Sequence, residues 1–113
     1  MESAASHHIN SDLTNLSIHS EYDGTDEVVI GDGSSLKVTH VGSMSLSSLS
    51  KSFHLHNTLC VPNIHKNLVS VHNFTSSNNV YIEFHPFNFL VKDRNTGTTI
   101  LRDDCQDGVY PLP

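Results

Sequence analysis

The chain has 113 residues and a net charge of −6, with six lysine and arginine residues against twelve aspartate and glutamate residues. This length fits a single domain, and the few scattered basic residues give little electrostatic support for binding nucleic acid through its phosphates. No stretch approaches the roughly 18 apolar residues of a membrane span, and no charged segment precedes an apolar run as in a secretory signal. We therefore expect a cytoplasmic protein that binds neither membrane nor nucleic acid, with the nucleus as a second possible location.

The first half of the chain predicts a hairpin after a long polar segment. Residues 1–26 are rich in Ser, His and Asn and have few apolar anchors. Residues 27–31 are β-branched and predict a strand, and Asp32-Gly33 is a strong signal for a tight turn. Residues 36–42 alternate apolar and polar and predict the returning strand. Residues 43–52 are serine-rich, so we expect a loop with a weak strand inside it.

The second half predicts further strands and one helix. Residues 53–61 alternate, with Phe53 and Leu55 on the apolar face, and Pro62 ends this strand. Near-helical spacing of apolar residues predicts a short helix over 67–76. The later segments are strands at 80–84 and 87–93, a turn at 95–97, an extended piece at 98–101 and a tail at 108–113. The pattern indicates an all-β domain with one short helix.

Six short motifs follow one another along nearly the whole chain. They are ESAASHH at 2–8, VIGDGS at 29–34, HVG at 40–42, LCVP at 59–62, NLVSV at 67–71 and GVYPL at 108–112. In this order they resemble the protease region of copia-type long-terminal-repeat retrotransposon Gag-Pol polyproteins, which are abundant in plant genomes.

The resemblance implies a retropepsin-like fold, a closed β-barrel or sandwich of short strands with a flap hairpin. In that fold two identical chains each donate one aspartate to a shared site, so a homodimer is expected. Residues 1–102 would form the protease-like domain without its usual first strand, and 103–113 would be a tail at the pre-integrase junction. Met1 would then be a new start inside an older reading frame, as in a domesticated or decaying fragment.

The resemblance also assigns candidate site residues. Glu2 occupies the position of the catalytic aspartate, Ser3 that of the hydroxyl residue tying the two active-site loops together, and Ala4 replaces the usual glycine. The flap that closes over a peptide would be formed by Gly31, Asp32, Gly33 and Ser34. No cofactor is implied.

Glu2 decides between two classes of function. Two carboxylates must lie close enough to share a proton in this chemistry, and a glutamate adds a methylene and about 1.5 Å of reach. Because a misplacement of about 1 Å can cost on the order of 10²-fold in rate, we expect severely reduced activity. The domain would then bind a peptide, a host protein or an element protein, or interfere with intact protease subunits by pairing with them.

An active homodimeric endopeptidase that processes a polyprotein remains the alternative. Glutamate is still a carboxylic acid, and Asp12 is near enough in sequence to be a remote substitute. A third reading is a monomer whose exposed strand edges bind a host protein.

Two further features have competing interpretations. Among the nine histidines, His54 and His56 with Cys60 and His65 could hold zinc, but their spacing fits no strong zinc pattern. We interpret them, and the His7-His8 pair, as surface histidines and predict no metal site. The aromatic-rich strands at 80–91 either complete the core or form a hydrophobic interface, and we favour an interface.

Overall fold

A computed structural model describes residues 1, 5–22, 27–29, 33–47 and 51–111. The candidate residues Glu2, Ser3 and Ala4 and the turn residues Gly31 and Asp32 lie outside these described ranges. The described strands are β1 (His8–Asn10), β2 (Ile18–Glu21), β3 (Glu27–Val29), β4 (Ser35–Lys37), β5 (His40–Ser47), β6 (Ser52–Cys60), β7 (Val80–Phe84), β8 (Asn88–Asp93) and β9 (Thr99–Asp104), with a 3-10 turn at Leu13–Asn15 and one helix, α1 (Val71–Asn78).

The largest sheet has the strand order β1-β6-β5-β2. Strand β6 confirms the alternation seen in the sequence, because Phe53 and Leu55 are buried while His54 and His56 are exposed. The short strand β1 runs parallel to β6 and pairs Ile9 with Leu59. The other pairings in this sheet are antiparallel.

The expectation of a loop over 43–52 is wrong for its first part, because β5 runs to Ser47 and pairs with β6 over most of its length. The serines do not prevent this, since a strand needs only its backbone groups for the ladder and an apolar residue on every second position. Met44 and Leu46 supply those positions and pack against the core. The predicted returning strand is likewise divided, since β4 ends at Lys37 and β5 begins at His40.

The polar start of the chain forms two strands that the sequence pattern did not predict. His8, Ile9 and Asn10 are all buried in β1, and β2 lies at the edge of the sheet beside β5. Both strands pair with partners that are distant in sequence. The local composition of this polar segment therefore did not reveal them. Strands β3 and β4 form the predicted hairpin as a separate two-stranded sheet.

Helix α1 begins four residues later than predicted and ends at Asn78. Leu68 cannot belong to the helix because it pairs with Ile9 through two backbone hydrogen bonds. Ser70 is the N-cap, and its side chain accepts a hydrogen bond from the Asn73 N–H. Asn79 ends the helix in the left-handed conformation, with φ of 53°.

The third sheet has the order β7-β8-β9 and matches two of the predicted strands closely. Its last strand runs to Asp104, beyond the predicted end at 101, so the backbone crosses the proposed boundary at 102–103 without a break in pairing. Gly97 takes a φ of 73° in the predicted turn between β8 and β9.

Two hydrophobic clusters form the core. One joins the large sheet, α1 and the third sheet around Phe53, Phe74 and Phe89, and the smaller one packs Ile9, Val38 and Val61 beneath the β3–β4 hairpin. Within the described ranges the domain is therefore mostly β with one short helix, as expected. The expectation of a closed barrel is not met there, because the strands form three sheets and none of them closes on itself. The β3–β4 hairpin forms no backbone pairing with the other two sheets, so it does not join them into one continuous sheet.

The aromatic residues of β7 and β8 divide between core and surface. Phe89 is fully buried, whereas Phe84 and Phe87 are 43% and 85% exposed. Tyr110 packs edge-on against Phe84 at a ring-centroid distance of 4.8 Å. Tyr81 is also exposed, at 39%. Neither of the two interpretations of this region is complete, since one aromatic residue belongs to the core and three remain on the surface. No helix of the described residues is long and apolar enough to cross a membrane.

Candidate functional site

The backbone that follows Glu2 is held against the start of helix α1. The Ser70 hydroxyl donates a hydrogen bond of 2.7 Å to the Ala5 carbonyl. The Asn73 side-chain amide donates another, also of 2.7 Å, to the Ser6 carbonyl. Ser70 is fully buried, so a single side chain caps the helix and anchors the segment next to the candidate site.

We call residues 5–7 the anchored segment. Strand β1 follows this segment and is hydrogen-bonded on both sides. The Ile9 N–H donates to the Leu68 carbonyl at 2.9 Å, and the Leu68 N–H donates back to Ile9 at 2.8 Å. On the other side, the Val61 N–H donates to the Asn10 carbonyl at 2.9 Å. Position 1 is held as well, because its amino group donates to the Tyr110 carbonyl at 2.7 Å. The segments on either side of residues 2–4 are therefore tied to the rest of the fold.

His8 is buried, and the interpretation of the His7-His8 pair as surface residues is wrong for this residue. Only 2% of His8 is exposed, and its Nδ1 accepts a hydrogen bond of 3.0 Å from the Ser70 N–H. Burial, with smaller contributions from the nearby His7 and His56, lowers the pKa of His8 to about 4. The neutral ring therefore carries its proton on Nε2, because Nδ1 is occupied as an acceptor.

A groove lies between the anchored segment and the β3–β4 hairpin. Its volume is about 730 Å³, and its lining includes Ala5, Ser6 and His7 on one side and Val28 of the hairpin on the other. Ile9 and Leu68 are among the apolar residues that line it. The groove thus borders Ala5, which follows by three residues in the sequence the position that the resemblance assigns to the catalytic residue.

The predicted flap lies only partly in the described residues. Gly33 takes a φ of 87°, which glycine adopts without strain, and Ser34 is exposed. Both lie at the tip side of the β3–β4 hairpin, which contributes Val28 and Val29 to the groove. The role of this hairpin as a flap stays a prediction.

The sequence matches the family described as "Pol polyprotein, beta-barrel domain" over residues 1–79. The chain belongs to this family. It is also 49% identical, over all 113 residues, to the retrovirus-related Pol polyproteins from transposons RE1 and RE2 of Arabidopsis thaliana. The chain spans 8% of the length of each of these polyproteins. No solved structure matches the chain.

These findings confirm the resemblance at the level of a retrotransposon Pol polyprotein. The part of this Pol β-barrel domain that matches the family contains β1 to β6 and helix α1, and it therefore includes the anchored segment and the groove. Strands β7 to β9 lie beyond the matched residues but share the main core cluster through Phe89 and Val91.

The other candidate sites of the Pol β-barrel domain are not brought together. His54 and His56 are exposed with their rings stacked at 6.0 Å. Among the residues that the structure describes, no group of three or more histidine, cysteine, aspartate or glutamate side chains could hold a metal ion. Asp12, the suggested remote substitute for the catalytic acid, caps the 3-10 turn by accepting from the Thr14 N–H.

The sequence reasoning missed Ser70 and His8. Ser70 lies inside the helix predicted over 67–76, so its role as the N-cap could be recognised only with the observed helix start at Val71. His8 carried no local signal, because its partner Ser70 lies 62 residues away.

Proposed function

We propose that this Pol β-barrel domain is a copia-type, retropepsin-like module that has lost most or all proteolytic activity and retains the binding of an extended peptide. The groove between the anchored segment and the β3–β4 hairpin supports this proposal. Its volume, about 730 Å³, lies in the range of ligand-binding clefts, and its lining includes Ala5, three residues after Glu2 in the sequence.

The lining of the groove fits a peptide with apolar side chains. Val28, Ile9 and Leu68 offer apolar contacts, while Ser6 and His7 place polar groups beside them. The hairpin pairs with no other strand in the described residues, and it contacts the smaller core cluster through the side chains of Val28 and Leu36. Such a hairpin can open to admit a peptide and close over it without breaking backbone pairing to another described strand.

The case against catalysis rests on Glu2 and on the dimer that the resemblance implies. In a homodimer both acids of the shared site would be glutamates, so both would be displaced from the position that suits water activation. A heterodimer with an intact protease subunit would hold only one proper aspartate. This domain would then also interfere with such a subunit.

The first experiment compares the natural chain with Glu2→Asp and with the matched control Glu21→Asp, which changes an exposed glutamate of β2. Cleavage of apolar peptides is measured at mildly acidic pH, and light scattering reports the oligomeric state. We expect cleavage only by Glu2→Asp, at a rate at least about 10²-fold above that of the natural chain. Equal cleavage by all three would support the alternative, an active homodimeric endopeptidase. A monomer that cuts in no variant would exclude the shared site.

Binding is measured separately, by fluorescence anisotropy of a labelled apolar peptide. Val28→Asn in the hairpin should weaken binding at least about tenfold, since it places an amide among apolar groups. The matched control is Val109→Asn, outside the groove and 42% exposed. If neither variant changes the affinity, or if no peptide binds, the groove is not the binding site.

A further inference from the structure

A second groove lies on the opposite face of strand β1, and the proposed function does not use it. Residues alternate in direction along a strand, so His7 lines the first groove whereas His8 and Asn10 line the second. This second groove has a volume of about 520 Å³ and lies beside β1, β5 and the segment before helix α1. We call it the His8 groove.

The His8 groove holds a buried hydrogen-bond donor that has no partner. The Nδ1 atom of His8 accepts from Ser70, so the proton of the neutral ring lies on Nε2. In the described part of the chain, Nε2 is the buried side-chain polar atom that lacks a hydrogen-bond partner. A buried donor without a partner destabilises the folded state, and a hydrogen bond to a ligand oxygen would offset that loss.

Two further polar groups of the His8 groove, on Asn10 and Lys66, are also donors. The side-chain oxygen Oδ1 of Asn10 accepts from the Asp12 N–H at 2.8 Å, so the side-chain nitrogen points away from that partner. Among the described residues, this nitrogen donates to the Met44 sulfur at 3.6 Å, and sulfur is a weak acceptor. Lys66 adds an exposed ammonium group to the lining.

Beside the polar residues Asn15, Ser45, Thr58 and Asn67, the lining has an apolar and adaptable part. It includes Leu46, Leu55 and Val69, and no aspartate or glutamate among the described residues. Met44 also lines the groove, and its unbranched side chain can move aside at low cost. Such movement matters because a ligand must reach the buried Nε2 atom.

We propose that the His8 groove binds a small apolar monocarboxylate, whose carboxylate accepts from His8 Nε2 and faces Lys66 while its hydrocarbon part covers Leu46 and Leu55. Donors with no acidic neighbour among the described lining residues favour an anion over a cation. The apolar part of the lining favours a ligand with a hydrocarbon chain over a small hydrophilic anion. The His8 groove shares Ile9 and Leu68 with the peptide groove, but His8 and Lys66 line only the His8 groove, so its test can fail or succeed apart from that of the proposed function.

The test uses sodium octanoate as the probe, titrated into the full chain labelled for NMR. We expect saturable shifts of the His8 ring signals and the Met44 methyl signal, with a dissociation constant of about 1 mM or below. The neutral analogue 1-octanol should bind at least about tenfold more weakly, since it lacks the charge that Lys66 attracts.

Variants separate the two polar contacts. His8→Asn keeps an acceptor for the Ser70 N–H but removes the Nε2 donor, and it should weaken octanoate binding at least about tenfold. Lys66→Gln should weaken it about threefold, as expected for an exposed charge. Lys37→Gln, at an exposed lysine of β4 outside the groove, is the matched control and should change nothing.

Three results would overturn the proposal. One is the absence of saturable shifts in the natural chain, which does not depend on any variant folding. Another is equal affinity for octanoate and 1-octanol. The third is a His8 Nε2 proton that shows contact with a long-lived water and is unmoved by octanoate, which would make the groove a hydration site only.

Discussion

Replacing Ser70 with alanine tests how the segment beside Glu2 is held. The hydroxyl of Ser70 makes two contacts: it donates to the Ala5 carbonyl at 2.7 Å and accepts from the Asn73 N–H at 3.3 Å. Loss of an N-cap serine costs about 1 kcal/mol, and loss of a partly buried hydrogen bond costs about another 1 kcal/mol. We therefore expect Ser70→Ala to lower the free energy of unfolding by about 2 kcal/mol.

The assay is urea unfolding followed by far-ultraviolet circular dichroism, because the chain contains no tryptophan. Thermal unfolding should show the same loss as a fall in Tm of roughly 10 °C. Ser76→Ala is the matched control, since Ser76 lies on the exposed face of the same helix and its hydroxyl bonds only to carbonyls of the preceding turn. We expect that control to change stability by less than about 0.5 kcal/mol.

Hydrogen exchange shows where the effect of Ser70→Ala is felt. If the serine anchors the segment, the amides of Ile9 and Leu68 should exchange faster in Ser70→Ala than in Ser76→Ala, because their mutual pairing adjoins the lost contact. Equal stability of the two variants would refute the anchoring role. A loss of stability without faster exchange at Ile9 would show that Ser70 caps the helix but does not anchor the segment.

Two further predictions concern the core and acid stability. Phe74→Ala should cost about 3–5 kcal/mol in the free energy of unfolding, because Phe74 is fully buried against Phe53 at 5.1 Å, whereas Phe87→Ala, at a residue 85% exposed, should cost less than about 0.5 kcal/mol. For His8, the folded pKa of about 4 lies below the value of 6.5 in the unfolded chain, so the unfolded state takes up the proton first and stability falls as the pH drops from 6.5 towards 4. Between pH 6.5 and pH 4, the natural chain should lose about 2–3 kcal/mol more of its free energy of unfolding than His8→Asn loses. Parallel curves of stability against pH would contradict the lowered pKa of His8.

The elements that could be predicted from the sequence are those whose signals are local. Strand β6 alternates cleanly between buried and exposed residues, and β7 and β8 are short β-branched and aromatic runs. Helix α1 was predicted with a shifted start, because apolar spacing alone does not reveal that Leu68 pairs with Ile9. Patterns of this kind show which face of an element is buried. They show much less clearly where a residue pairs with a distant strand and the element therefore ends.

The elements that could not be predicted depend on distant partners. Strand β1 buries a histidine and an asparagine, which composition assigns to the surface. The Nδ1 atom of His8 accepts from Ser70, and the side-chain oxygen of Asn10 accepts from Asp12 and Asn15. Strand β5 carries serines on a backbone that pairs with β6. For the candidate site, the resemblance pointed to the segment at Glu2, whereas the residues that anchor this segment became visible only in the folded chain.

The anchoring contacts bear on how well the fold could absorb the extra methylene of Glu2. A compensating backbone shift would have to move residues 2–4 between two fixed points, the Tyr110 carbonyl that holds position 1 and the helix start that holds Ala5 and Ser6. Each hydrogen bond broken in such a shift would cost about 1 kcal/mol. The shift is therefore opposed on both sides, which supports the proposed loss of proteolytic activity.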